Sequence, residues 1–137
     1  MENAKIAIID DTEINLTLMK YLVKKHDGCE AFCFSDSAEG LQWCLSNDPD
    51  LIIVDYMMPQ PDGLEFIKRF RDGTPDKIGT PILMITANDQ KEVRYLALEA
   101  GANDFLNKPV DAVEFHARLK NMLVLRDSQK KLACHAE

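Results

Sequence analysis

Short runs of branched apolar residues alternate with longer amphipathic stretches along the 137-residue chain. The runs lack the apolar and polar alternation of a half-exposed strand, so they predict strands that are buried on both faces. In the longer stretches apolar residues recur three or four positions apart, which indicates helices. The predicted strands are residues 5–9, 29–34, 51–55, 81–85 and 104–107, and the predicted helices are residues 13–26, 37–47, 64–70, 88–100 and 111–132.

A helix rather than a tight turn follows every predicted strand. Parallel strands need such a crossover connection, so the pattern predicts a parallel sheet with helices on both faces. The length is that of one domain. We expect a single doubly wound α/β domain over residues 1–125, followed by a C-terminal helical extension over residues 126–137.

The spacing of apolar residues also predicts which helix faces are buried. Thr12 is expected to cap the first helix. The apolar flank formed by Ile14 and Tyr21 is either peripheral packing or a docking surface for a partner helix. The side chains expected to be buried are Asn15, Leu18, Met19 and Leu22 in the first helix, Ala38, Leu41, Cys44 and Leu45 in the second, Leu64, Ile67 and either Phe66 or Phe70 in the third, and Val113, Phe115, Leu119, Met122 and Leu123 in the fifth.

Composition and charge narrow the function. A net charge of -7 argues against direct binding to nucleic acid or to an anionic membrane surface. No apolar run approaches the roughly 20 residues that cross a bilayer. The N-terminus lacks the basic and apolar regions of a secretion signal. We therefore expect a cytoplasmic protein.

The four cysteines match no common zinc pattern, although Cys29 and Cys33 could bind zinc together with His26. Cys33 falls within a predicted strand and Cys44 on an apolar helix face, where cysteine behaves as a small buried hydrophobe. We expect reduced structural thiols.

Polar residues stand at the carboxyl ends of four predicted strands. These are Asp10 and Asp11 after the first strand, Asp55 at the end of the third, Thr86 after the fourth and Lys108 after the fifth. The carboxyl ends of parallel strands meet at one edge of the sheet, which is where open α/β sheets place their chemistry. Two carboxylates about 4 Å apart repel by roughly 4 kcal/mol at an effective dielectric constant of 20. Positive charge is therefore expected among the aspartates, from Lys108 and from a hard divalent cation such as Mg²⁺.

A cation held by carboxylates beside a hydroxyl and an ammonium group suits a phosphoryl group. An ionised Asp55 could accept it as an aspartyl-phosphate. Each residue alone has a simpler explanation. The Asp pair could cap a helix, Thr86 could cap a strand end, and Lys108 could be a solvated charge. Their coincidence at successive strand ends favours the shared site.

These residues lie in stretches that resemble the receiver domain of two-component response regulators. The resemblance runs from Lys5 to about Leu125 and implies a five-stranded parallel sheet of order 2-1-3-4-5. Residues 93–101 and 119–123 also look like receivers joined to cyclic-dinucleotide phosphodiesterase domains. The motifs that carry the resemblance are Ile-Ile-Asp10-Asp11, Val-Asp55-Tyr-Met-Met-Pro59 with Asp62-Gly63, Ile-Thr86-Ala87 and Leu-Asn-Lys108-Pro109.

The resemblance implies a role for each residue of the site. Asp55 would accept a phosphoryl group from a histidine kinase or a phosphotransfer protein in a Mg²⁺-dependent step. The domain itself would catalyse both this phosphorylation and the later dephosphorylation. The domain would act as a signalling switch rather than as an enzyme. It would do so alone, as a homodimer or fused to an output domain. The implied roles are metal binding by Asp10, Asp11, Asp55 and the carbonyl of Met57, phosphoryl contacts by Thr86 and Lys108, and conformational switching by Thr86 and Phe105.

The residues at the strand ends disfavour two other functions. A phosphatase with an aspartate nucleophile needs a second Asp two residues later, but Thr12 and Met57 stand at those places. A flavodoxin-like mononucleotide binder needs a phosphate-cradling loop after the first strand, where Asp10 and Asp11 would repel phosphate. A receiver is therefore preferred.

Three local features complete the expectations. Gln60-Pro61 stands where the family often has a Gly and an apolar residue, and Phe105 lacks the hydroxyl of the family's frequent Tyr. The Lys108-Pro109 bond is expected to be cis, because Lys108 must turn back into the site. In the tail, an apolar seam of Met122, Leu125 and Leu132, with Arg126, Lys130 and Lys131 away from it, predicts a helix that pairs with another copy or leads into an output domain, the alternative being a frayed end.

Overall fold

The computed structural model describes residues 3–74, 79–87 and 91–136, with side chains up to residue 132. Five strands alternate with five helices, which confirms the predicted α/β class. In chain order they are β1 (Ala4–Ile9), α1 (Glu13–Lys24), β2 (Cys29–Phe34), α2 (Ser37–Asn47), β3 (Leu51–Asp55), α3 (Gly63–Gly73), β4 (Ile82–Thr86), α4 (Lys91–Ala100), β5 (Asp104–Asn107) and α5 (Ala112–Ala136).

All neighbouring strands are parallel, and their order is β2-β1-β3-β4-β5, as the family resemblance implied. Successive residues of a strand point to opposite faces of the sheet. In β3, Leu51 and Ile53 pack with α1 and α5, whereas Ile52 and Val54 pack with α2, α3 and α4. Both faces are covered, which is why β3 is apolar at every position before Asp55.

The prediction for the buried face of α1 was partly wrong. Met19 and Leu22 are buried, but the other buried positions are Leu16 and Val23. Asn15 is only half-buried, and Leu18 is 39% exposed. The true stripe lies one residue further along the chain, because Leu16 and Val23 point directly at the sheet. The helix also ends at Lys24, before the predicted end at His26.

Thr12 occupies the N-cap position of α1, but its side chain makes no capping hydrogen bond. Its backbone N–H donates to Oδ1 of Asp10 at 2.9 Å instead. The predicted hydroxyl cap was therefore wrong, and this turn is organised by the carboxylate of Asp10.

Smaller corrections concern three other helices. Ala38 is exposed in α2, where Ser37 and Gly40 are buried beside Leu41 and Cys44. The third helix extends to Gly73, and both Phe66 and Phe70 are buried in it while Leu64 is half-buried. Val113 is 78% exposed because it lies in the first turn of α5, ahead of the part that crosses the sheet. The predicted start of the fourth helix at Asn88 and Asp89 lies outside the described residues.

The fifth helix is continuous past the sheet, but its polar side was misassigned. Arg126 is only 8% exposed, whereas the seam residue Leu132 is 70% exposed. Nε of Arg126 lies 3.3 Å from Oδ1 of Asp50, and Nζ of Lys130 lies 2.6 Å from the same oxygen. The helix passes the amino-terminal edge of the sheet at this point, so its basic residues turn toward the acidic residues that precede β3. The division at residue 125 remains a prediction.

Across residues 3–74, 79–87 and 91–136, no helix is both long and apolar enough to cross a membrane.

Candidate functional site

Three aspartates meet at the carboxyl edge of the sheet. Asp10 directly follows β1 and Asp55 ends β3, and each is only 1% exposed. Asp11 is exposed at the rim. One carboxylate oxygen from each of the three lies within 4.8 Å of the others. The central position of β1 and β3 in the sheet, side by side, brings these residues together.

Lys108 supplies positive charge to this cluster. Its ammonium nitrogen lies 2.8 Å from Oδ1 of Asp55. The backbone N–H of Lys108 donates to the carbonyl of Thr86, which extends the pairing of β4 and β5 to the edge. The Lys108-Pro109 bond is cis, as predicted. The lysine is therefore held against Asp55 by the strand that precedes it.

The acidic cluster is under-satisfied in hydrogen bonds. Oδ2 of Asp10 is buried without a hydrogen-bond partner, and Oδ1 of Asp55 has the Lys108 ammonium at 2.8 Å beside it. Burial raises the pKa of Asp55, and the charge of Asp10 raises it further. The Lys108 ammonium and a backbone hydrogen bond from Met57 counteract this only in part, so the pKa stays above its ordinary value.

The loop after β3 shapes a cleft of about 320 Å³ beside the cluster. Gly63 is required where α3 begins, because a Cβ there would lie 2.7 Å from the carbonyl oxygen of Asp55. The Asp62 side chain caps α3 by accepting from the backbone of Glu65 at 2.9 Å. The Gln60-Pro61 bond is also cis, which was not predicted. The cleft is lined by Asp11, Tyr56, Met57, Met58, Pro59 and Asp62.

Thr86 and Phe105 lie on the same face of the sheet. Thr86 ends β4, is 1% exposed and stands opposite Asn107 of β5, while Phe105 stands opposite Met84. Met84 packs with α3 and α4, and Phe105 is half-buried against the same cluster. Thr86 belongs to this face too, because it lies two residues after Met84.

Sequence reasoning missed the residues that connect α4 to this edge. The guanidinium of Arg94 donates to the Asn107 side chain and lies over the Phe105 ring, 5.9 Å from its centre. Ser37, whose hydroxyl donates to the carbonyl of Pro59, likewise supports the loop after β3. The only sequence signal was the position of Asn107 beside Lys108.

The arrangement combines buried carboxylate oxygens, an ammonium group and a strand-end hydroxyl at an open cleft. Such donors suit a hard cation and a phosphoryl group together. Residues 6–120 match the family defined by the response regulator receiver domain. The chain belongs to this family. The match argues for a receiver and against the aspartate-nucleophile phosphatase.

This receiver domain is similar to parts of longer curated proteins. It is 39% identical over 121 residues to the alkaline phosphatase synthesis transcriptional regulatory protein PhoP of Bacillus subtilis, covering 88% of this chain and 49% of that protein. It is 36% identical over 128 residues to the cyclic di-GMP phosphodiesterase response regulator RpfG of Xanthomonas campestris pv. campestris, covering 93% of this chain and 34% of that protein. The chain thus spans half or less of the length of these relatives.

Solved structures with the same fold match this receiver domain over nearly their whole length. A response regulator receiver domain protein from Clostridium thermocellum is 30% identical with a TM-score of 0.81, covering 95% of this chain and 98% of that one. The chemotaxis protein CheY4 of Vibrio cholerae is 28% identical with a TM-score of 0.80, covering 88% of this chain and 98% of that one.

Proposed function

We propose that Asp55 accepts a phosphoryl group from a histidine kinase or a phosphotransfer protein, and that the domain is a phosphorylation-dependent switch. One observation carries this proposal: the buried Asp55 carboxylate lies 2.8 Å from the Lys108 ammonium and within 4.8 Å of Asp10 and Asp11. Burial raises the pKa of Asp55, chiefly by desolvation. A more basic carboxylate is a stronger nucleophile once it is ionised.

The residues present fit a Mg²⁺ ion. Oδ2 of Asp10 is buried without a hydrogen-bond partner, and burying such a group is costly unless a cation or donor satisfies it. The carboxylates of Asp10, Asp11 and Asp55 would hold the ion, together with the carbonyl of Met57. When bound, Mg²⁺ supplies positive charge that neutralises phosphoryl oxygens.

Phosphoryl transfer makes a bond from a carboxylate oxygen of Asp55 to phosphorus and breaks the bond from phosphorus to the donor imidazole. The electron pair of the broken bond stays on the imidazole nitrogen. The ion pair between Lys108 and the Asp55 oxygen breaks, and the Lys108 ammonium pairs with a phosphoryl oxygen instead. The hydroxyl of Thr86, at the end of the adjacent strand, donates a hydrogen bond to another phosphoryl oxygen.

Movement of the Thr86 side chain toward the phosphoryl group would also affect Phe105. A hydroxyl drawn toward the phosphoryl group vacates space on the face that Thr86 and Phe105 share, and the half-buried Phe105 ring can turn inward. Thr86→Ala should therefore permit phosphorylation of Asp55 but abolish the response of the α4 and β5 surface. An unaltered response, measured by NMR of the phosphorylated variant, would contradict this coupling.

An exposed apolar surface on α1 suggests where a phosphoryl donor binds. Ile14 and Tyr21 on α1 are 79% and 58% exposed, and Leu18 beside them is 39% exposed. This apolar flank begins next to Asp11 and fits the docking of a donor helix at the site. The relatives with longer chains favour an output domain beyond this receiver domain, and we propose that the protein acts in the cytoplasm.

The decisive experiment is intact mass after incubation with Mg²⁺ and acetyl phosphate. We expect the native protein to gain one phosphoryl group, and Asp55→Ala to gain none. Asp48→Asn is the matched control, because Asp48 precedes β3 at the opposite edge of the sheet from the cluster and should leave labelling intact. Equal labelling of Asp55→Ala and native protein would overturn the proposal.

A further inference from the structure

A second cluster of ionisable side chains lies on the α1 and α5 side of the domain. His26 follows α1 and His116 lies in α5, 90 residues later in the chain. Nε2 of His26 and Nδ1 of His116 are 2.5 Å apart. The ring centres are 4.6 Å apart, and the ring planes are inclined by 38°. Both side chains are half-buried.

The histidine pair differs from the zinc site of His26, Cys29 and Cys33 that the sequence suggested. Among the described residues, the one group of three acidic, histidine or cysteine side chains close enough to share an ion is Asp10, Asp11 and Asp55. Cys29 and Cys33 therefore do not complete a site around His26. Burial also raises the pKa of both thiols, which disfavours the thiolate form that binds zinc.

We propose that His26 and His116 form a two-histidine site for a borderline divalent cation of the Zn²⁺ class, linking α1 to α5. To bind one ion as adjacent tetrahedral ligands, with bonds of about 2.0 Å, the two nitrogens need to move from 2.5 Å to about 3.3 Å apart. Each ring also needs to turn so that its lone pair points at the ion. Imidazole nitrogen suits Zn²⁺, Ni²⁺ and Cu²⁺, whereas Mg²⁺ prefers oxygen. The site therefore differs in chemistry from the aspartate cluster.

The protonation state agrees with this assignment. Burial lowers the pKa of His26, and the neighbouring His116 lowers it further, so His26 is neutral near pH 7. Neutral imidazole is the form that binds metal ions. In the hydrogen-bonded pair one facing nitrogen carries a proton. Metal binding moves that proton to the other nitrogen of the same ring, so both facing nitrogens offer a lone pair and no net proton is lost.

Water ligands can reach the site from the His26 side. His26 borders a cavity of about 380 Å³ between the end of α1 and the outer side of α5. The carboxylates of Asp27 and Asp127 line this cavity, balanced by Lys120 and Lys131. Two protein ligands with water fit a reversible site rather than a closed structural one.

The test is calorimetric titration of Zn²⁺ into the full chain with Mg²⁺ in excess, so that the aspartate cluster is occupied. We expect one Zn²⁺ per chain. His26→Gln and His116→Gln should each weaken binding at least about tenfold, because each removes a direct ligand. His135→Gln, at the third histidine of the chain, and Cys29→Ser should leave the affinity unchanged.

A readout on the native protein avoids reliance on variants that could fold poorly. In imidazole ¹⁵N spectra, Zn²⁺ should shift the facing nitrogens of His26 and His116 together and at the same stoichiometry. Failure to bind Zn²⁺, or binding that survives both His26→Gln and His116→Gln, would overturn the proposal and leave a shared proton only. Loss of binding in His135→Gln would also overturn it.

Discussion

Two buried aspartates stand at opposite ends of β3, and their surroundings differ in almost every respect. Asp50 precedes the strand and is 5% exposed, while Asp55 ends it and is 1% exposed. Oδ2 of Asp50 accepts from the Lys5 backbone at 2.9 Å, and its Oδ1 contacts Arg126 and Lys130 of α5. Asp55 faces two other aspartates and one lysine, whose ammonium nitrogen lies 2.8 Å from its Oδ1.

The pKa directions express this difference. Burial alone would raise the pKa of Asp50, but hydrogen bonds from Lys130 and the Lys5 backbone, with the nearby Arg126, hold it below its ordinary value. The pKa of Asp55 is raised, because burial and Asp10 outweigh Lys108. A carboxylate that is fully satisfied holds the fold together, whereas one that is left partly unsatisfied is available for a cation and for chemistry.

The largest effect is expected from Asp50→Ala. It leaves the guanidinium of Arg126, whose side chain is 10% exposed, without its main partner. Removing one member of a buried pair typically costs about 3–5 kcal/mol, so the free energy of unfolding should fall by that amount in urea denaturation. Asp48→Asn is the control, since the Asp48 side chain is 49% exposed and lies 3.4 Å from Arg126. If Asp48→Asn lowered the free energy of unfolding as much as Asp50→Ala does, Asp50 would have no special role.

The second effect is stabilisation by Mg²⁺, which should involve only the Asp55 end. A ligand present at 100 times its dissociation constant raises the free energy of unfolding by about 2.7 kcal/mol. We expect this increment in native protein and its loss in Asp10→Asn, followed by thermal denaturation. An undiminished increment in Asp10→Asn would place the metal elsewhere.

Third, Asp55→Asn should stabilise the fold when Mg²⁺ is absent. It removes repulsion among carboxylates within 4.8 Å of each other, while Lys108, whose side chain is 33% exposed, can turn toward solvent. The pKa of Asp55 is raised because burial, together with the charge of Asp10, outweighs the Lys108 contact, so removing the Asp55 charge should give a gain of about 1–2 kcal/mol. Destabilisation of the same size would show that Lys108 satisfies Asp55 fully.

The smallest expected effect tests whether burial or distance determines how much an ion pair of Asp50 contributes to stability. Lys130 lies closer to Asp50 than Arg126 does, at 2.6 Å against 3.3 Å, but its side chain is 49% exposed and that of Arg126 is 10% exposed. An ion pair in water contributes less than about 1 kcal/mol. Lys130→Met should therefore cost less than Arg126→Met in the same denaturation assay. The reverse order would show that distance dominates.

The two ends of β3 also differ in how far the sequence predicts them. Asp55 was predicted because a carboxylate after four branched apolar residues is conspicuous, and because parallel topology brings strand ends to one edge. Asp50 was not, since its partner Arg126 lies 76 residues away on a helix whose rotation no periodicity sets. The seam prediction placed Arg126 on the wrong side for this reason. His26 and His116 were likewise invisible as a pair, because their contact depends on how α1 and α5 cross.

Stability should depend on pH with opposite signs at the two aspartates. The contribution of Asp50 is present above the ordinary carboxyl pKa of about 3.9 and is lost as the pH falls through its lowered value in the folded protein. For Asp55 the contribution is full below about pH 3.9 and is lost as the pH rises through its raised folded value. Asp55 ionised at neutral pH thus costs stability until a cation binds.

The most direct test of this division is a pH titration of the side-chain carboxyl ¹³C shifts of Asp50 and Asp55 by NMR. Without Mg²⁺, Asp50 should titrate below the ordinary range and Asp55 above it. Saturating Mg²⁺ should lower the pKa of Asp55 and leave that of Asp50 in place. If both titrate in the ordinary range, or if Mg²⁺ leaves the titration of Asp55 unchanged, Asp55 is not the poised carboxylate of a phosphoacceptor site.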